Sequence, residues 1–76
     1  MEEFLMRYTL TNNFTQISET GTLQNVSPAN NIEISDTTHV GTGIILGPYD
    51  YKSFDTTIYA RCAIPNQIAE IRVVPF

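Results

Sequence analysis

Seventy-six residues allow a single domain and no more. Eight acids against four bases give a net charge of −4, which argues against a chain that contacts nucleic acid directly or lies on an anionic membrane. One cysteine, Cys62, and one histidine, His39, exclude an internal disulfide and a Cys/His metal knuckle.

No apolar run approaches the roughly 18 residues of a membrane-spanning helix, and the acidic opening Met1-Glu2-Glu3 is unlike a secretion signal, so the chain reads as one made in the cytoplasm. Leu, Ile, Val and Phe number 21 of 76, about 28%, above the roughly 20% floor for a chain that can order itself. The margin is thin. Area scaling gives roughly 7,600 Å² buried on folding, worth on the order of 115 kcal/mol, and ordering the chain at ~1.5 kcal/mol per residue costs about the same. With no disulfide or metal to add, self-association or docking onto a partner is the expected source of extra stability. Thr occurs ten times, Ile nine and Asn six, against one Lys and four Ala. β-Branched residues suit pleated surfaces, and Thr and Asn supply turns and an uncharged exterior, so the composition is that of an all-β protein.

In chain order, Phe4 to Leu10 alternates, with Phe4, Met6, Tyr8 and Leu10 on one side, and predicts a strand; a short helix over Glu2–Met6 is the competing reading. Asn12-Asn13 marks a turn before a short piece, Phe14–Ser18. After Gly21, the run Thr22–Val26 predicts another strand, with Leu23 and Asn25 opposed to Gln24 and Val26. Ser27-Pro28-Ala29-Asn30-Asn31 is a turn signal. Ile32–Ser35 follows with Ile32 and Ile34 inward and Glu33 outward, then a polar loop over Asp36–Gly43 and a short apolar strand, Ile44–Leu46, closed by Gly47-Pro48. Tyr49–Lys52 reads as loop, with brief edge pairing at Ser53-Phe54. Thr56–Cys62 sets Ile58, Ala60 and Cys62 against Thr57, Tyr59 and Arg61, and Ile68–Val74 sets Ala69, Ile71 and Val73 against the rest. Separated by a Pro65-Asn66 turn, these last two runs predict an antiparallel hairpin. The sum is a single small antiparallel β-sandwich over residues 1–76, with six to eight short strands.

Chemistry is sparse. Gly41-Thr42-Gly43 lacks the βαβ context of a dinucleotide site. His39 has no marked nucleophile beside it, Cys62 falls on the apolar face of its strand, and the carboxylates are scattered. No catalytic residue, cofactor site or metal site is expected, and the protein is not expected to be an enzyme.

Three features point to binding instead. Sheet edges are commonly guarded by Lys, yet Lys52 is the only one here. Both ends of the sequence are apolar, with Phe4, Leu5 and Met6 at one and Val73, Val74 and Phe76 at the other. Tyr49 and Tyr51 flank Asp50, and loop tyrosines make amphipathic contact surface. The candidate assembly contacts are therefore Phe4, Leu5, Met6, Tyr49, Tyr51 and Phe76.

The order of pieces carries a resemblance. Phe14-Thr-Gln-Ile17 precedes Leu23-Gln-Asn25 and Ile32-Glu-Ile-Ser35; a Gly43-Ile-Ile-Leu-Gly-Pro48 corner follows, then Ile58-Tyr-Ala-Arg61 and a final strand, Ala69-Glu-Ile-Arg-Val-Val-Pro75. This resembles the small β-sandwich virion proteins of tailed bacteriophages, which decorate the head or form its fibres and collar pieces. Phe14 stands where such proteins often carry Trp, and Pro65-Asn66 where Gly is commoner. The resemblance implies a structural, oligomeric role on the virion, with capsid or other virion proteins as partners and no cofactor. A carbohydrate- or receptor-binding sandwich with Tyr49 and Tyr51 as a stacking platform is the alternative.

Overall fold

The computed structural model describes residues 6–76. Phe4 and Leu5, and the helix alternative at Glu2–Met6 apart from its last residue, lie outside the described residues. Those described form eight strands and no helix: β1 (Met6–Leu10), β2 (Thr15–Ile17), β3 (Gly21–Asn25), β4 (Ile32–Ser35), β5 (Ile44–Leu46), β6 (Tyr51–Phe54), β7 (Ile58–Cys62) and β8 (Ala69–Pro75).

The pairing has a simple rule. β1 pairs with β8, β2 with β7, β3 with β6 and β4 with β5, all antiparallel. The chain is thus a double ribbon folded back on itself at the Asp36–Gly43 loop. Rolling that ribbon sets β8 against β3 and β7 against β4, which closes two four-stranded sheets, β1-β8-β3-β6 and β2-β7-β4-β5. This is the strand order of a jelly roll, the eight-stranded sandwich of two Greek keys.

Period-two alternation fills the space between the sheets. Leu10, Leu23, Ala69, Ile71 and Val73 from the first sheet meet Ile17, Ile32, Ile34, Leu46, Ile58, Ala60 and Cys62 from the second, with Tyr8 and Phe54 packed at the margin. Those from β1, β3, β4, β7 and β8 come from the faces that the sequence pattern sets together, while Ile17, Leu46 and Phe54 belong to short strands for which it assigned no face.

Two expectations need correction. β7 and β8 are not a hairpin: they lie in different sheets. Gln67 N–H donates to the Ile64 carbonyl at 3.3 Å around Pro65-Asn66, and Asn66 takes φ 63°. That turn carries the chain over the end of the sandwich, so the apolar faces of the two strands look at each other across the core. Alternation is the same for both arrangements, and β2 and β4 already occupy the two ladders of β7. Secondly, Tyr51 and Lys52 are not loop. β6 starts at Tyr51 and pairs with β3 from Gln24 back to Gly21. A polar, exposed edge strand carries no apolar alternation for the sequence to reveal.

Candidate interaction surface

The one ion pair among the described residues is buried and structural. Glu33, on the outer side of β4, faces Arg61 of β7 directly across the ladder. Its carboxylate is only 1% exposed. Oε1 accepts from Arg61 Nε at 2.8 Å and Nη2 at 2.7 Å, while Oε2 accepts from the Gly41 and Gly43 N–H groups at 2.7 and 3.0 Å. Arg61 also donates to the Cys62 carbonyl and lies 5.6 Å from the centroid of the Phe14 ring. Burial pushes the Glu33 carboxyl up, but the Gly43 N–H, Arg61 and the Gly41 N–H outweigh it and hold the group below its ordinary value. The Gly-Thr-Gly loop therefore does have a job, which is to fold over the outer face of β4 and cap this carboxylate. A Cβ on Gly43 would sit 2.1 Å from the Ile34 carbonyl oxygen, so only glycine fits.

A second buried polar residue shapes the surface more directly. Asn25, at the inward-facing end of β3, donates through Nδ2 to the carbonyls of Asn30, Leu46 and Gly47, and its Oδ1 accepts from Ser27 N–H. Its backbone clamps the next turn, with Tyr49 N–H donating to Asn25 O at 2.7 Å and Asn25 N–H to Asp50 O at 2.9 Å. The turn Gly47-Pro48-Tyr49-Asp50 closes with Asp50 N–H on Gly47 O, and Tyr49 takes φ 66°. Left-handed backbone in a bulky residue is strained and persists only where its surroundings dictate it. Here the strain presents a tyrosine that is 56% exposed.

This turn joins β5 to β6, one of the two edge strands of each sheet, so these two edges lie on one flank of the sandwich. The flank carries Ile44, Ile45 and Tyr49, all exposed, with Val40 exposed in the loop before β5. Lys52 falls on the inner side of β6, opposite Leu23, where an inward-pointing charge blunts that edge. β5 has no such guard: it is short, but Ile45 is 54% exposed on its outer face and Ile44 is exposed beside it.

The predicted contact residues therefore divide. Tyr49 lies on the β5–β6 flank, whereas Tyr51, at the start of β6, falls on the outer face of the first sheet opposite Gln24. Met6 sits on the inner side of β1, opposite Val73. Phe76 follows the far end of β8, where its N–H donates to Thr20 O, and its side chain is 79% exposed and does not cap the core. Sequence reasoning did not single out Ile44, Ile45 and Val40 as contact surface, having read a short apolar strand and a polar loop there. It also missed Asn25 and the Glu33–Arg61 pair as structural polar groups. Asn25 on the Leu23 face and Glu33 between two core isoleucines were the available signals. No protein-family model matches this chain, and neither a curated protein nor a solved structure does.

Proposed function

We propose that the chain is a non-enzymatic structural protein of a tailed-phage virion, a decoration, fibre or collar component that assembles through its β5–β6 flank with further copies of itself or with capsid proteins. One observation carries this reading: β5 is a free sheet edge whose exposed side chains are isoleucines, with exposed Val40 in the loop before it and exposed Tyr49 in the turn after it. An apolar free edge of that kind is a template for pairing with another chain, and a protein that stays alone commonly guards it with charge. The jelly-roll order adds support by analogy, since capsid proteins use it, although lectins do as well. Among the described residues, the two titratable groups with displaced pKa values are tied into the fold, Glu33 by Arg61 and the glycine loop and Tyr8 by Glu19. Neither offers a free acid or base.

The test is sedimentation equilibrium of the purified chain beside Ile45→Lys, which places a guard charge on the edge without touching the core. The wild type should associate at micromolar concentration and the variant should be monomeric, with the two unfolding midpoints equal once the wild type is diluted to monomer. Phe76→Ala should leave the midpoint unchanged as well. A wild-type chain that stays monomeric at 100 µM (roughly the upper range for a specific assembly contact), or one whose association ignores Ile45→Lys, refutes assembly through this edge.

A further inference from the structure

The outer face of the β1-β8-β3-β6 sheet holds a second arrangement that assembly does not use. Four strands place one residue each in a single row: Arg7 opposite Arg72, Arg72 opposite Gln24, and Gln24 opposite Tyr51. At ~4.8 Å per strand the row runs about 14 Å. Thr22 lies in the adjoining row, between Val74 and Ser53.

The charges in this row are unusual. The chain has only four basic residues, and two of them face each other directly across a ladder in a protein of net charge −4. Like charges placed directly opposite cost stability. Among the described residues neither arginine has an ion-pair partner, the only pair being Arg61–Glu33. Glu70 lies one step along the same face, opposite Thr9, and bounds the cationic patch without neutralising it.

The row is also held in place. Arg72 Nε donates to Gln24 Oε1 at 2.9 Å, and Gln24 Nε2 donates to the Tyr49 carbonyl at 3.0 Å, so the strained Tyr49 turn anchors the guanidinium through one amide. The Nε is engaged and the terminal nitrogens are left to take an anion through a two-pronged contact. Beside them Tyr51 is 70% exposed, and Thr22, Gln24, Tyr51, Arg72 and Val74 line a shallow depression of about 260 Å³. That is below the roughly 300–1,000 Å³ of drug-sized pockets, so the site takes one ring-sized unit at a time.

We propose that this face binds an acidic saccharide: a carboxylate-bearing pyranose whose carboxylate sits on the Arg72 guanidinium, with Arg7 adding positive charge from the next strand, and whose ring lies against Tyr51. Gln24 and the Thr22 and Ser53 hydroxyls, hydrogen-bonded to each other at 2.8 Å, have capacity left for ring hydroxyls. An acidic peptide is held chiefly by main-chain hydrogen bonds along a strand edge, whereas the groups free to bind here are side chains on a sheet face. Uronic acids and sialic acids share the required chemistry.

The experiment titrates the full chain with trigalacturonate and with 3′-sialyllactose, following backbone amide resonances, and repeats it with maltotriose, lactose and hexaglutamate. One acidic sugar should shift the Gln24, Tyr51 and Arg72 amides and bind at least tenfold more tightly than its neutral counterpart. Arg72→Gln and Tyr51→Ser should each weaken it at least tenfold with no fall in the unfolding midpoint, while Ile45→Lys should bind as the wild type does, which separates this site from the assembly edge. Absence of shifts with both acidic sugars at millimolar concentration overturns the proposal. So does hexaglutamate binding as tightly, or affinity that survives either site variant.

Discussion

Replacing Glu33 with Gln tests the whole reading of the outer face of β4. The carboxylate accepts four hydrogen bonds, two from Arg61 and two from the Gly41 and Gly43 amides. A Gln side chain has one acceptor oxygen. Turned toward the glycines, its NH₂ meets the Arg61 donors; turned toward Arg61, it meets two backbone N–H groups. Either way two bonds are lost and a guanidinium that is 8% exposed keeps its charge without a counter-ion. Hydrogen bonds to charged groups contribute about 1.5–3 kcal/mol each, and removing one partner of a buried pair typically costs about 3–5 kcal/mol. The expected loss for Glu33→Gln is therefore about 3–5 kcal/mol, against a total stability of roughly 4–11 kcal/mol for a chain this long. At about 4–8 °C per kcal/mol the midpoint should fall by at least about 12 °C. Urea unfolding followed by circular dichroism measures it at pH 7, with the slope m checked for constancy. Acid makes the same change reversibly. Because the folded carboxyl titrates below its unfolded value, its contribution is present above about pH 4.5 and is lost as pH falls through the folded pKa. The variant should show a flatter acid limb than the wild type. A loss below about 1 kcal/mol at constant m would refute the account and reduce the pair to a solvated contact.

Other substitutions probe the turn, the loop and the margin of the core. Tyr49→Gly relieves φ 66°, worth about 1–2 kcal/mol, against roughly 0.5–1 kcal/mol of added chain entropy; stability should stay level or rise by up to about 1 kcal/mol in thermal melts, and a clear loss would show that the ring packs. Gly43→Ala brings its Cβ within 2.1 Å of the Ile34 carbonyl oxygen; calorimetry should show a loss of about 2 kcal/mol or more, since β5 must part from β4 and Glu33 loses an amide. Burial, and then the hydrogen bond and charge of Glu19, raise the Tyr8 phenol from 10.0 to about 12. Its contribution is intact below about pH 10 and is lost as pH rises toward 12, so Tyr8→Phe should flatten the alkaline limb of stability measured between those values.

The sequence by itself determined the class of fold and most of its core. Period-two alternation in β1, β3, β4, β7 and β8 names the inward residues from Leu10 to Val73, because a pleated strand buries every second side chain whatever its neighbour. The turn residues Pro28, Pro48 and Pro65 fixed where strands stop. Only the tertiary structure decided which strands are neighbours. Ile58–Cys62 and Ala69–Val73 look alike as a hairpin or as facing layers, since burial pattern depends on the face and not on the ladder. The jelly-roll order came from the folded-back ribbon, a long-range property that no local pattern encodes. The same holds for the surface: Arg7, Gln24, Tyr51 and Arg72 are far apart in the chain and share a row only because register aligns them. Glu33 shows the reverse case, where alternation correctly pointed a charge away from the core and the loop at Gly41–Gly43 then buried it.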